Sequence, residues 1–311
     1  MDKTPRPSTG ICLALVCLFI LGTLPVVSNS RPPGTSALAF AFFLSVWQLI
    51  FSLPLFIREL TSGRRGIFGM EGGLGKRGRA TAVAIVTGIM FGLATWCYVL
   101  SMEKAGAVSA AIAIQTYPLF AILVEMALIR QGKSLTELAL TTGLVLDLYY
   151  LGTGGTWQFN GISVWFLAAL GVPLLWSIAH VLIREELTTT PITPAQVTFF
   201  RVLLSAVFLG TALAVSGEGT AFRWFNPEVM PYAAAMGCLY YLELLLWFYA
   251  VSHIHVSLAS AVTTPWPAVT MVLAAIFLGD RIQGYQVVAF LIAAGCVGAL
   301  LAAGAAQNRA R

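Results

Sequence analysis

Charge is scarce in this chain. Of its 311 residues 13 are acidic and 18 basic, 10% in all, where a water-soluble domain carries roughly a quarter. A surface that faces water on every side is therefore excluded. Histidine is rarer still, at three. The five cysteines, Cys12, Cys17, Cys97, Cys238 and Cys296, all fall in apolar runs without metal-ligand spacing. Neither a disulfide framework nor a metal site is indicated, and the thiols read as small packing residues. No Gly-x-x-x-x-Gly-Lys-Ser/Thr loop occurs, so ATP is not a direct energy source. No cofactor is implied.

What the chain has is hydrocarbon: 58% of residues are hydrophobic and the mean hydropathy is +0.85. A bilayer core of about 30 Å is crossed by about 20 helical residues. Ten runs of that kind recur, near 10–27, 37–57, 80–101, 107–129, 135–151, 162–183, 195–216, 231–251, 257–278 and 284–303. The expected fold is an all-α membrane protein of ten transmembrane helices. The first run follows a charged start and precedes "SNSRPP", which a cleaved signal peptide would also do; the repeat described next needs it as a helix.

Basic residues orient the spans. With the N-terminus cytoplasmic, thirteen Lys and Arg fall in inside segments, only Arg31, Lys104, Arg223 and Arg281 fall outside, and Arg201 lies within the seventh run. That bias follows the positive-inside rule and places both termini in the cytoplasm of a multi-pass protein of the plasma, or bacterial inner, membrane. The excess of positive charge is thus a topology signal. Nucleic acid is excluded as a partner, because no soluble surface is left to present a reading element.

A pattern recurs between the halves. "WCYVLS" (Trp96 to Ser101) parallels "WFYAVS" (Trp247 to Ser252), and "VSAAIAIQTYP" (Val108 to Pro118) parallels "VSLASAVTTPWP" (Val256 to Pro267). Each unit holds five spans, an odd number, so the second copy enters the membrane from the opposite face. The units are 1–156 and 157–311. Inverted repeats of this kind recur in secondary transporters, where substrate binds near the midplane between them. Pro118, Pro265 and Pro267 fall halfway along the fourth and ninth spans. A proline inside a helix costs about 3 kcal/mol, and the freed backbone groups are tolerated at that depth only where protein or a wet cavity receives them. These residues are expected to kink the helices around a central cavity.

At this point the chain resembles the drug/metabolite transporter superfamily, specifically its ten-helix EamA-type members. The resemblance is clearest in "WFYAVSHIHVSLASAVTTPWPAVTMVLAAIFLGDRIQGYQVVAFLIAAGCVGALL", with its Pro-containing ninth helix, the turn at Gly279 and Asp280 and a Gly-rich last helix. "FFRVLL" resembles the arginine-bearing start of a second helix in a family repeat. It implies a 5+5 inverted repeat around a central cavity, and transport of amino acids and other small metabolites, often outward.

Polar and aromatic residues beside the prolines are the first substrate-binding candidates: Gln115, Thr116, Tyr117, Thr263, Thr264 and Trp266. They offer hydrogen bonds and a stacking face in a mostly apolar lining. Trp96, Tyr98, Trp176 and Tyr240 would add walls, although aromatic belts at the interfaces are routine. Glu243, twelve residues into the eighth span, is the deepest acid. It either faces the cavity as a substrate-amine or proton site, or pairs with Arg201, or is merely buried and protonated. His180 is a proton-relay candidate with packing as its plainer role, and Glu125 and Asp147 are near enough to helix ends to snorkel.

The functional expectation is a secondary transporter of small organic solutes, not an enzyme, with proton coupling through Glu243 or simple facilitated diffusion both open. Its partners are the small-molecule substrate and the bilayer, and one chain suffices to enclose a cavity. The alternative, an intramembrane lipid-modifying enzyme, has only "IREELTTTP" and the His253–His255 turn to offer. A channel would need charged rings or a filter motif.

Overall fold

The computed structural model describes residues 7–63, 74–117, 119–120, 123–124, 135–158, 163–217, 227–253, 259 and 262–310. Among the described residues the fold is entirely helical, in ten elements: α1 (Pro7–Asn29), α2 (Ala37–Thr61), α3 (Leu74–Lys104), α4 (Ala107–Gln115), α5 (Leu135–Gly152), α6 (Val164–Thr189), α7 (Pro194–Val215), α8 (Met230–His253), α9 (Trp266–Phe277) and α10 (Gly284–Ala310). Stretches within α1, α2, α3, α6 and α7 are long and apolar enough to cross a membrane. Their exposed side chains include Phe19, Ile57, Val207 and Leu167, a surface suited to lipid and unsuited to water.

Helix starts follow local chemistry. Ser36 caps α2 by accepting a hydrogen bond from the Ala39 amide at 3.3 Å. Thr193 caps α7 in a reciprocal box with Gln196, and Pro194 sits in the first turn, where a missing N–H is harmless. The Thr193 hydroxyl also hydrogen-bonds the Glu59 carboxylate, tying the start of α7 to the end of α2.

The packing between the halves is pseudo-symmetric. If each helix of the first five is exchanged with its counterpart five places on, every major contact finds its mate. α1 packs on α8 as α3 packs on α6; α3 packs on α7 as α2 packs on α8; and α1 packs on α9 as α4 packs on α6. The self-paired contacts α2 with α7, α4 with α9 and α5 with α10 lie on the pseudo-axis. This is the arrangement that a 5+5 inverted repeat requires.

Two close approaches make the seams. A Cβ on Gly88 of α3 would collide with the Leu204 side chain of α7, and the Ser205 hydroxyl donates to the Gly88 carbonyl at 2.8 Å. On the other side, a Cβ on Gly237 of α8 would lie 2.7 Å from the Leu44 carbonyl oxygen of α2. Glycine lets these backbones approach in a setting where helix association depends on van der Waals packing rather than on water.

Candidate functional site

α4 stops at Gln115. Thr116 closes it, with its amide bonded to the Ala113 carbonyl at 3.2 Å and its hydroxyl to the same oxygen at 2.6 Å. Pro118, the residue expected to force this break, lies outside the described residues, as do Glu125 and His255. α9 begins at the matching register: Thr264 and Pro265 form a turn, and the Ala268 amide bonds the Pro265 carbonyl at 2.9 Å at the head of the helix. Pro267 lies in its first turn. Both interrupted helices bury polar residues at the break. Gln115, Thr116, Thr263 and Thr264 are each under 10% exposed.

From the α4 break a polar and aromatic cluster runs through α6, α3, α7 and α8. The Tyr117 hydroxyl and His180 Nδ1 are 3.0 Å apart, and the Ser177 hydroxyl of α6 donates to the Pro173 carbonyl at 2.7 Å beside them. The His180 ring lies 5.5 Å from that of Phe91. Arg201 places its guanidinium carbon 3.8 Å from the Phe91 ring centroid, a cation–π contact. Tyr98 and Tyr240 face each other at 6.0 Å. Glu243 is in electrostatic range of Tyr98, Tyr240 and Arg201, and its backbone carbonyl accepts from the Cys17 thiol at 3.6 Å. Trp176 packs between this cluster and the main core, and Trp96 packs on that core.

Arg201 and Glu243 do not touch. Among the described residues neither has an ion-pair partner within 4.0 Å, so the direct pair allowed by the sequence does not form. An ionised side chain at the bilayer centre costs about 2.5–3.5 kcal/mol on insertion scales. The two are close enough to interact electrostatically without forming a direct ion pair.

The α9 half of the predicted set is placed differently. Trp266 is buried on the α1 side, where its carbonyl lies 2.9 Å from the position a Cβ on Gly22 would take, and Thr270 donates to the Gly22 carbonyl at 2.9 Å. The α4 break therefore meets α6 across hydrogen-bonding side chains, while the α9 break meets α1 across a close backbone seam.

Five side chains have buried polar atoms without partners among the described residues: both amide atoms of Gln115, both carboxylate oxygens of Asp147, Nε2 of Gln48, Oδ1 of Asn29 and Nδ1 of His253. Leaving a buried polar group unsatisfied costs about 1–3 kcal/mol. Gln115 is the last residue of α4, next to the Thr116 that closes the helix. Gln48 had escaped the sequence reading, although it is an isolated amide in the apolar run "SVWQLIF". Asp147 does not snorkel; it is 3% exposed and faces α10 near Cys296.

Ion pairs lie at both ends of α3. Arg31, in the turn after α1, pairs with Glu103, stacks over Phe40 and donates to the Ser28 carbonyl at 2.5 Å. Burial pulls its guanidinium below the ordinary range, with Glu103 opposing the shift. At the start of α3, Arg79 pairs with Glu186 of α6 at 3.3 Å. An apolar groove of about 500 Å³ between α2 and α7, lined by Phe42, Leu49, Val207 and Gly210 among others, opens on the lipid side and lies apart from the polar cluster.

Comparison with known proteins agrees with this architecture. The sequence profile of the EamA-like transporter family matches residues 8–151 and again residues 163–303. The pseudopaline exporter CntI of Pseudomonas aeruginosa, in strains UCBPP-PA14 and PAO1, is 28% identical over 135 residues, which span 43% of this chain and 44% of the relative. The match thus spans less than half the length of these curated relatives. A solved crystal structure shares the fold, with a TM-score of 0.62 at 17% identity over 97% of this chain and 98% of the other.

Proposed function

The chain belongs to the EamA-like transporter family, and from that premise we propose that it is a secondary transporter that exports small organic metabolites, amino acids among them, by alternating access. The coarser statement, a multi-pass membrane protein that moves small molecules, follows from the family itself. The observation that carries the finer one is the couple of Arg201 and Glu243 in one cluster, within electrostatic range and without a direct ion pair among the described residues. A solute with a carboxylate and an amine satisfies both at once, and Gln115 adds an amide whose two polar atoms have no partner among the described residues. Tyr98, Tyr117, Tyr240, Trp176 and His180 supply the walls.

In this reading Pro118, Pro265 and Pro267 hold the two breaks open for rocking of repeat 1–156 against repeat 157–311. Thr116, Thr263, Thr264, Trp96 and Trp266 complete the lining of the path. Outward direction is supported by the name of the Pseudomonas relative, an exporter, and cytoplasmic termini in the bacterial inner membrane by the inside bias of Lys and Arg. Glu243 exchanges a proton against the solute, since neutralising it in the empty carrier removes the cost of an unpaired buried anion. One chain encloses the whole cluster, so a monomer is sufficient.

Solute counterflow in proteoliposomes, with and without a pH gradient, tests this. Saturable exchange of an amino-acid-like solute that is lost in Glu243→Gln is expected. Exchange indifferent to Glu243 and Arg201 would remove the site.

A further inference from the structure

The ion pair between Arg79 and Glu186 is lopsided. Arg79, at the start of α3, has a side chain 57% exposed, whereas that of Glu186, near the end of α6, is 6% exposed. Glu186 therefore turns inward from the helix end. It lines a pocket of about 30 Å³ between α3, α6 and α7, and the same pocket is lined by Arg201, Thr87 and Phe200. That space holds a water molecule and nothing larger. Its α3 wall is Ala80, Val83, Ala84 and Thr87, none of them a long side chain.

The charges follow an order from the helix ends inward: a cation at the rim, a carboxylate within, and a second cation on the inner wall. A buried carboxylate is tolerated where a cation and hydrogen bonds answer it. Here one anion lines the pocket beside the Arg201 side chain and pairs with Arg79 at the rim, and guanidinium matches carboxylate geometry better than any other side chain does.

We propose that this pocket is an access vestibule for carboxylate-bearing solutes, and that Glu186 is a tethered carboxylate occupying the anion position while the vestibule is shut. A solute carboxylate that displaces Glu186 restores the interactions it breaks, so the exchange leaves the buried charge balance unchanged. A cation arriving at the same place meets Arg79 and Arg201 and is repelled. The vestibule thus selects by charge before the solute reaches the central cluster, because Arg201 belongs to both. This inference rests on the transporter reading.

The test is thiol labelling in lipid nanodiscs, with a small maleimide and peptide mass spectrometry to read position 87 apart from the native cysteines. Thr87 is buried and lines the pocket, so Thr87→Cys should react slowly. Adding Glu186→Gln should speed the reaction about fivefold, the scale on which a partly exposed ion pair shifts a two-state equilibrium. Acetate should slow it again in that double variant, and propylamine should not. Ala84→Cys serves as a second reporter if Thr87→Cys does not fold. A labelling rate unchanged by Glu186→Gln, or protection by propylamine as strong as by acetate, would overturn the vestibule. No transported solute is needed for this readout, so the two ideas part cleanly. Solute flux with an unmoved labelling rate overturns the vestibule alone. An acetate-sensitive rate in protein that carries no solute supports the anion site and removes the transporter reading.

Discussion

The Tyr117 hydroxyl and His180 Nδ1 lie 3.0 Å apart, and this hydrogen bond ties the end of α4 to α6 across the seam between the two repeats. Tyr117 is one residue beyond the C-cap of α4, so the bond sets where the broken helix points. Tyr117→Phe and His180→Phe should each leave the protein folded, with a loss of roughly 1 kcal/mol in stability. Transport should fall more than stability does. Thermal unfolding in detergent beside counterflow separates the two effects.

Glu243 and Arg201 make unequal predictions. Glu243→Gln keeps the shape and removes the charge, so solute exchange, and with it the response to a pH gradient, should be lost while the bundle stays folded. Arg201→Lys keeps the charge and loses the planar face over Phe91. It should raise the KM for a carboxylate-bearing solute with a smaller change in maximal rate. Initial rates at several pH gradients check both.

Close backbone seams tolerate no added bulk. Gly88→Leu and Gly237→Val place side-chain atoms where Leu204 and the α2 backbone already lie, and each should destabilise the bundle by about 1–3 kcal/mol. Gly298→Ala in α10, where a Cβ meets nothing within 4 Å, should be neutral. Melting temperatures of the purified variants decide this.

Asp147 is buried between α5 and α10 with neither oxygen satisfied among the described residues. An unpartnered polar group in an apolar seam destabilises it, so Asp147→Leu should match or exceed the parent in thermal stability. Clear loss of stability would mean that the carboxylate has a partner which matters.

Much of the architecture was legible before any coordinates. Span length and hydropathy located the ten helices, because a bilayer allows the backbone few alternatives. α4 ends at Gln115 and α9 begins at Trp266, near the prolines that drew the expectation of kinks there, of which Pro118 lies outside the described residues. The boundaries were less legible. α3 starts at Leu74, ahead of the apolar run, because Lys76, Arg77 and Arg79 extend a helix beyond the hydrocarbon as readily as they extend a loop. Partners were hardest to read. Arg79 and Glu186 are 107 positions apart and Arg31 and Glu103 are 72 apart; nothing local announces such pairs. Arg201 and Glu243 were read as a possible pair from depth alone, and depth says nothing of which way each side chain turns on its helix.

The most direct measurement of the central idea is counterflow by the purified protein in liposomes preloaded with a panel of small carboxylate-bearing metabolites, amino acids included. The account predicts that at least one radiolabelled member accumulates transiently above its equilibrium level, and that Glu243→Gln with Arg201→Gln abolishes this without unfolding the helices. Flux no greater than in protein-free liposomes for every member, from protein whose circular dichroism shows an intact bundle, would contradict it.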